Sequence, residues 1–152
     1  MNLLTASLAA AAVAVAPQLH AQDCLHGLKP AMVAGGFSGT VDCRHDRIVL
    51  RKIGHLRYQT RLFTVYDDHY TLAPICDQCA MHGGQRILVF ENRRYIGQYA
   101  PDDVQLSIQA GKLVLHWGAE PPVPAGHMAI TVTRRGFPSH LLVMGEFIDF
   151  FR

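Results

Sequence analysis

A chain of 152 residues with 49% apolar and 17% charged side chains has room for one domain with its own core. It lies far from the charged, apolar-poor composition of disordered proteins. Its net charge of +2 is too small by itself to point to nucleic-acid binding, so any basic partner surface must come from local clustering.

Residues 1–21 read as a secretory signal peptide. Residues 3–16 are almost wholly Ala, Leu and Val, no charged side chain precedes Asp23, and Leu19-His20-Ala21 supplies a small-residue cleavage site. The segment departs from the usual pattern in having no Lys or Arg at its start. Its apolar run is shorter than the roughly 20 residues of a membrane span. Residues 22–152 are then a single mature domain, periplasmic or secreted, and no later segment is apolar enough to span a bilayer. An even set of cysteines in an exported chain, Cys24, Cys43, Cys76 and Cys79, favours disulfides. Sequence leaves the connectivity open, with proximity favouring Cys24–Cys43 and Cys76–Cys79.

Residues 22–36, with Gly27, Pro30 and Gly35-Gly36, predict an irregular segment with at most a helical turn around Ala31. Residues 37–41 and 47–53 predict strands. Residues 55–66 predict one longer strand, with Leu56, Tyr58 and Leu62 on one face and His55, Arg57, Gln59 and Arg61 on the other. The phase slips at Leu62-Phe63, where a β-bulge is expected. Asp67-Asp68 should end that strand. Hairpins follow at residues 86–90 and 95–99, then 104–108 and 113–117. The loop at residues 118–126 is stiffened by Pro121, Pro122 and Pro124. Residues 128–133, 141–144 and 147–151 predict the last strands. With no helical periodicity after Gln22, the fold class is all-β, an antiparallel sandwich or small barrel built from consecutive hairpins. From Tyr95 onward, Tyr95-x-Gly97-x-Tyr99, Val104-x-Leu106-x-Ile108, Gly111-x-Leu113-x-Leu115 and Ile130-x-Val132-x-Arg134 resemble lipocalin-like and serine-hydrolase-associated β domains of exported bacterial proteins. The resemblance implies a fold and brings no catalytic residue.

Two stretches attract a functional reading. Cys76-x-x-Cys79 lacks the βαβ setting of a thiol oxidoreductase, and Gly83-Gly84 opposes a following helix. His69, Cys76, Cys79 and His82 are zinc-ligand types, but the second half of a structural site is missing and export favours oxidation first. Ala80 stands where c-type haem attachment needs a histidine. The leading expectation is therefore a disulfide-shaped loop presenting Asp77 and Gln78. The second stretch is basic: Arg44, His45, Arg47, Arg51, Lys52, His55, Arg57 and Arg61 against Asp42 and Asp46. Its candidate contacts are His55, Arg57 and Arg61 on a shared strand face, and its plain alternative is a charged edge that resists aggregation. Asp67-Asp68 and Asp102-Asp103 read as turn residues. Ser38 misses the nucleophile-elbow spacing, and no phosphate-binding loop is present.

The expected function is binding of an envelope component or another protein, in an inhibitor or immunity-type role, with no cofactor and no assigned catalytic residue. The alternative is a metal- or thiol-handling protein centred on Cys76, Cys79 and His82, with zinc as its metal.

Overall fold

The computed structural model describes residues 23–74, 76, 78–119 and 121–152. The expected signal peptide at 1–21 and the candidate contact Asp77 lie outside the described residues. The described chain is antiparallel β with one short helix. After α1 (Lys29–Ala34) come β1 (Arg47–Tyr58), β2 (Arg61–Thr71), β3 (Gly83–Glu91) and β4 (Arg94–Tyr99), which form one sheet in sequence order. A second sheet is β5 (Gln105–Gln109), β6 (Lys112–Trp117) and β7 (Gly126–Ile130), and β8 (His140–Val143) pairs with β9 (Glu146–Asp149).

The middle of the first sheet is buried on both faces. Ile87, Leu88, Val89 and Phe90 of β3 are almost without solvent contact, which is why this strand reads as an apolar run rather than an alternation. On one face Leu56, Phe63, Val65, Ile87 and Val89 meet Leu106, Leu113, Leu115 and Ile130 of the second sheet. Phe137, Leu141 and Val143 complete that core. On the other face Leu88, Phe90 and Tyr95 pack against Leu25 and Met32 of the N-terminal segment. The chain's end is sewn to β4: Gln98 and Phe151 exchange backbone hydrogen bonds at 2.7 and 3.0 Å. Gly97, at φ 152°, lets the Phe150 ring approach; a Cβ there would lie 2.6 Å from it.

Several local expectations are corrected. Residues 37–41 form a loop, not a strand; Phe37 instead turns its ring edge-on to Tyr95 at 5.8 Å. Residues 55–66 are not one strand but a hairpin that turns at Gln59-Thr60, with Gln59 at φ 53°. The phase slip at Leu62-Phe63 is the consequence of that turn. The bulge lies earlier, between Lys52 and Gly54. Asp67 and Asp68 do not end a strand; they sit buried inside β2.

The two sheets are unequal in length. At about 3.3 Å per residue, β1 and β2 run roughly 40 Å against roughly 20 Å for the strands of the second sheet. On the face toward the second sheet the surplus end of β1, β2 and β3 is left uncovered, whereas on the other face Ile48 and Leu50 pack with the N-terminal segment joined by Cys24–Cys43. The same end carries the β2–β3 connection with Cys76–Cys79.

Candidate functional site

The uncovered end holds a groove of about 400 Å³, lined among others by Arg47, His69, Gln85, Asp102 and Asp103. Its floor is organised by Asp67. In an antiparallel ladder alternate residues share a face, so Asp67 and His69 on β2 join Arg51 and Gln85, their neighbours on β1 and β3. One Asp67 oxygen accepts from Arg51 Nη2 at 3.0 Å. The other accepts from Gln85 Nε2 at 2.7 Å and lies 3.2 Å from His69 Nε2. A buried carboxylate needs such partners, because an unpaired one is costly to desolvate.

Gln85 extends the network to the groove's far wall. Its Nε2 donates to the Val104 carbonyl at 2.8 Å and its Oε1 accepts from the Val104 N–H at 2.9 Å. This reciprocal pair pins the approach to β5 and so holds Asp102 and Asp103 beside the sheet. Arg47, Asp102 and Asp103 are exposed and take part in no salt bridge among the described residues. The groove thus presents charges of both signs that remain available to a ligand.

The adjoining loop is closed twice. Cys76 and Cys79 are bonded, with the Cys79 N–H donating to the Cys76 carbonyl at 3.1 Å. At the base, the Leu72 N–H donates to the His82 carbonyl at 2.7 Å. Asp46 ties the loop to the start of β1 by accepting from the Ala73 N–H. Cys76, Gln78 and His82 are exposed. Bonded to each other, the two sulfurs carry no thiolate for a metal, and His69 is engaged by Asp67. Among the described residues no group of three or more His, Cys, Asp or Glu side chains is placed to hold a metal ion.

The proposed basic face divides. His55 and Arg57 pair with Thr64 and Leu62 and lie on the sheet face opposite the groove, with His55 Nδ1 3.0 Å from Thr64 Oγ1. Arg61 pairs with Tyr58 and points to the other face, so the expected shared face for the three residues is overturned. The two-residue turn reverses the parity that a continuous strand would have kept. Arg61 binds Glu91 through Nε at 2.7 Å and Nη2 at 3.1 Å, donates to the Arg134 carbonyl, and lies 4.8 Å from the Phe63 ring centre. The hydrogen bond from Arg61 holds Glu91 below the usual carboxylate range. Arg61 is a structural clamp here.

On the back of β2, Asp68 is fully buried against Arg86 at 3.3 Å. Burial raises the Asp68 carboxyl above its ordinary range, and Arg86 offsets this only in part. Sequence reasoning missed Asp67 and Gln85 as organisers of the groove. The available signal was that alternation continues through His69-Tyr70-Thr71, past the point where the acids were expected to stop it.

Comparison of the chain with protein-family models, with curated proteins and with solved structures gives no match.

Proposed function

We propose that this is an exported binding domain that recognises another protein or an envelope component through the end bearing the groove and the Cys76–Cys79 loop. The supporting observation is the fixed floor beneath unpaired charges: Asp67 and Gln85 spend their hydrogen bonds inward, while Arg47, Asp102 and Asp103 keep theirs for a ligand. Preorganisation of this kind lowers the ordering cost of association. Two disulfide-bonded pairs are compatible with an oxidising compartment. An inhibitor or immunity-type role suits such a surface, since both act by occupying a partner.

The test is affinity capture from a cell-envelope extract, followed by quantitative binding of the recovered component. Arg47→Glu and Asp102→Lys are expected to weaken binding by about tenfold or more, as for charges at a complementary contact. Both positions are exposed, so thermal stability should stay near wild type. Lys112→Glu, exposed and paired with Gln109 at the end of β5 away from the groove, should bind normally. Unchanged affinity in both groove variants, or no component retained above a blank surface, would sink the proposal.

A further inference from the structure

The opposite face of the four-stranded sheet carries a second groove, of about 390 Å³, between the N-terminal segment and β2–β3. Thr64, Tyr66 and Phe90 form its floor, and Leu28, Pro30 and Ala31 form its wall. Tyr66 and Phe90 meet edge to face at 5.5 Å; Phe90 is buried and backs the half-buried Tyr66, whose ring supplies the aromatic surface of the groove.

The β1–β2 register sets a cationic margin beside this floor. Lys52 lies opposite Tyr66, His55 opposite Thr64 and Arg57 opposite Leu62, so all three share the groove's face. Arg93, from the β3–β4 turn, lines the groove itself. Lys52, Arg57 and Arg93 are exposed, and none forms a salt bridge among the described residues. By contrast Arg51, Arg61, Arg86 and Arg94 each meet a carboxylate. The groove's lining contains no Asp or Glu among the described residues. Asp68 belongs to the same face but is buried against Arg86. At the rim the Asp23 carboxylate is turned onto the Leu25 and Gly27 N–H groups. An edge strand needs only scattered charge to resist pairing; Lys52, Arg57 and Arg93 beside one trough are a more specific arrangement.

We infer that this groove binds a single-chain anionic amphiphile. Its apolar body lies on Tyr66, Leu28 and Pro30, and its acidic head is held by Lys52, Arg57 and Arg93. The long Lys and Arg stems extend the apolar surface while their heads meet the anion, and the charge complementarity selects an acid over a neutral chain. This site is independent of the groove at Arg47, which lies on the other face.

Isothermal titration of the purified, oxidised protein with dodecanoate, kept below its micelle concentration, tests the inference. Saturable binding at one site is expected, with dodecanol weaker by about tenfold at low salt because the head-group attraction is lost and is screened as salt rises. Arg57→Glu/Arg93→Glu should weaken dodecanoate binding by a similar factor and leave dodecanol unchanged. Tyr66→Ala should weaken both ligands. A circular-dichroism melt of each variant establishes that it is folded. Equal affinity for acid and alcohol, indifference to the double charge reversal, or binding to anionic vesicles with none to monomeric dodecanoate would each overturn the assignment.

Discussion

Arg86→Met is expected to lower the unfolding free energy by about 3–5 kcal/mol at neutral pH, the cost of leaving a buried charge without its partner. For a domain of this size that corresponds to a fall in melting temperature on the order of 10 °C. Arg86 is buried, 3.3 Å from Asp68, with its guanidinium 3.7 Å from the Tyr70 ring centre and 5.4 Å from that of Phe37. Asp68 Oδ1 already has no hydrogen-bond partner among the described residues, so Arg86 is the main compensation for this carboxylate.

The pH dependence separates charge from packing. Burial raises the folded-state pKa of Asp68, so the folded protein holds that proton more tightly than the unfolded chain does. Its contribution to stability is therefore full below the unfolded carboxylate pKa and declines as pH rises through the folded value. Removing Arg86 takes away the partner that lowers the folded pKa, so the decline becomes larger and extends to higher pH. The deficit of Arg86→Met relative to wild type should thus be small near pH 3 and reach its full size above the raised Asp68 pKa. Adding Asp68→Leu should recover most of it, since two apolar groups replace a buried pair. Thermal melts across this range check both statements. A deficit of constant size at every pH would assign the effect to lost packing of the guanidinium between two rings.

The second large effect concerns the disulfides, and it should differ sharply between them. Cys24–Cys43 closes a separation of 19 residues, for which loop-closure entropy gives about 3 kcal/mol. It also anchors Leu25, which is fully buried against Met32, Leu88 and Phe90. The Cys24→Ser/Cys43→Ser variant should lose about 3 kcal/mol in denaturant melts and loosen the N-terminal segment. Cys76–Cys79 closes a separation of only 3 residues, and the same expression gives about 2 kcal/mol before any native strain is subtracted. The exposed loop buries little, so Cys76→Ser/Cys79→Ser should melt much closer to wild type while weakening capture of the envelope partner. The same preparation yields the oxidation state: without reductant, intact mass should be lower by two hydrogens for each of the two bridges. Free thiols carrying stoichiometric zinc would instead restore the metal-handling alternative at Cys76, Cys79 and His82.

Much of the β architecture was legible because its signals are local. Arg86–Phe90 reads as a strand from its apolar run. The hairpins of β3–β4 and β5–β6 follow from alternation interrupted by Glu91-Asn92-Arg93 and Gln109-Ala110-Gly111. The β1–β2 turn was illegible because Gln59-Thr60 carries no glycine or asparagine, yet Gln59 adopts a left-handed φ of 53°. That single turn inverted the face assigned to Arg61. The loop at residues 37–41 failed for a different reason: Phe37 is used as a plug against Tyr95 and Arg86, a packing role with the composition of a strand.

The sequence by itself determined the all-β class, the proximity of Cys24 to Cys43 and of Cys76 to Cys79, and the small net charge, since each depends on composition or on neighbours along the chain. The tertiary structure alone decided that Asp67 and Asp68 are interior organisers. Their partners Arg51, Gln85 and Arg86 lie 16 to 18 residues away, and only strand register brings them together. It also decided which cations remain unpaired, because a guanidinium is neutralised by the carboxylate that the fold sets beside it. The physical reason is range: periodicity is written in adjacent residues, whereas the burial and pairing of charge depend on which strands become neighbours.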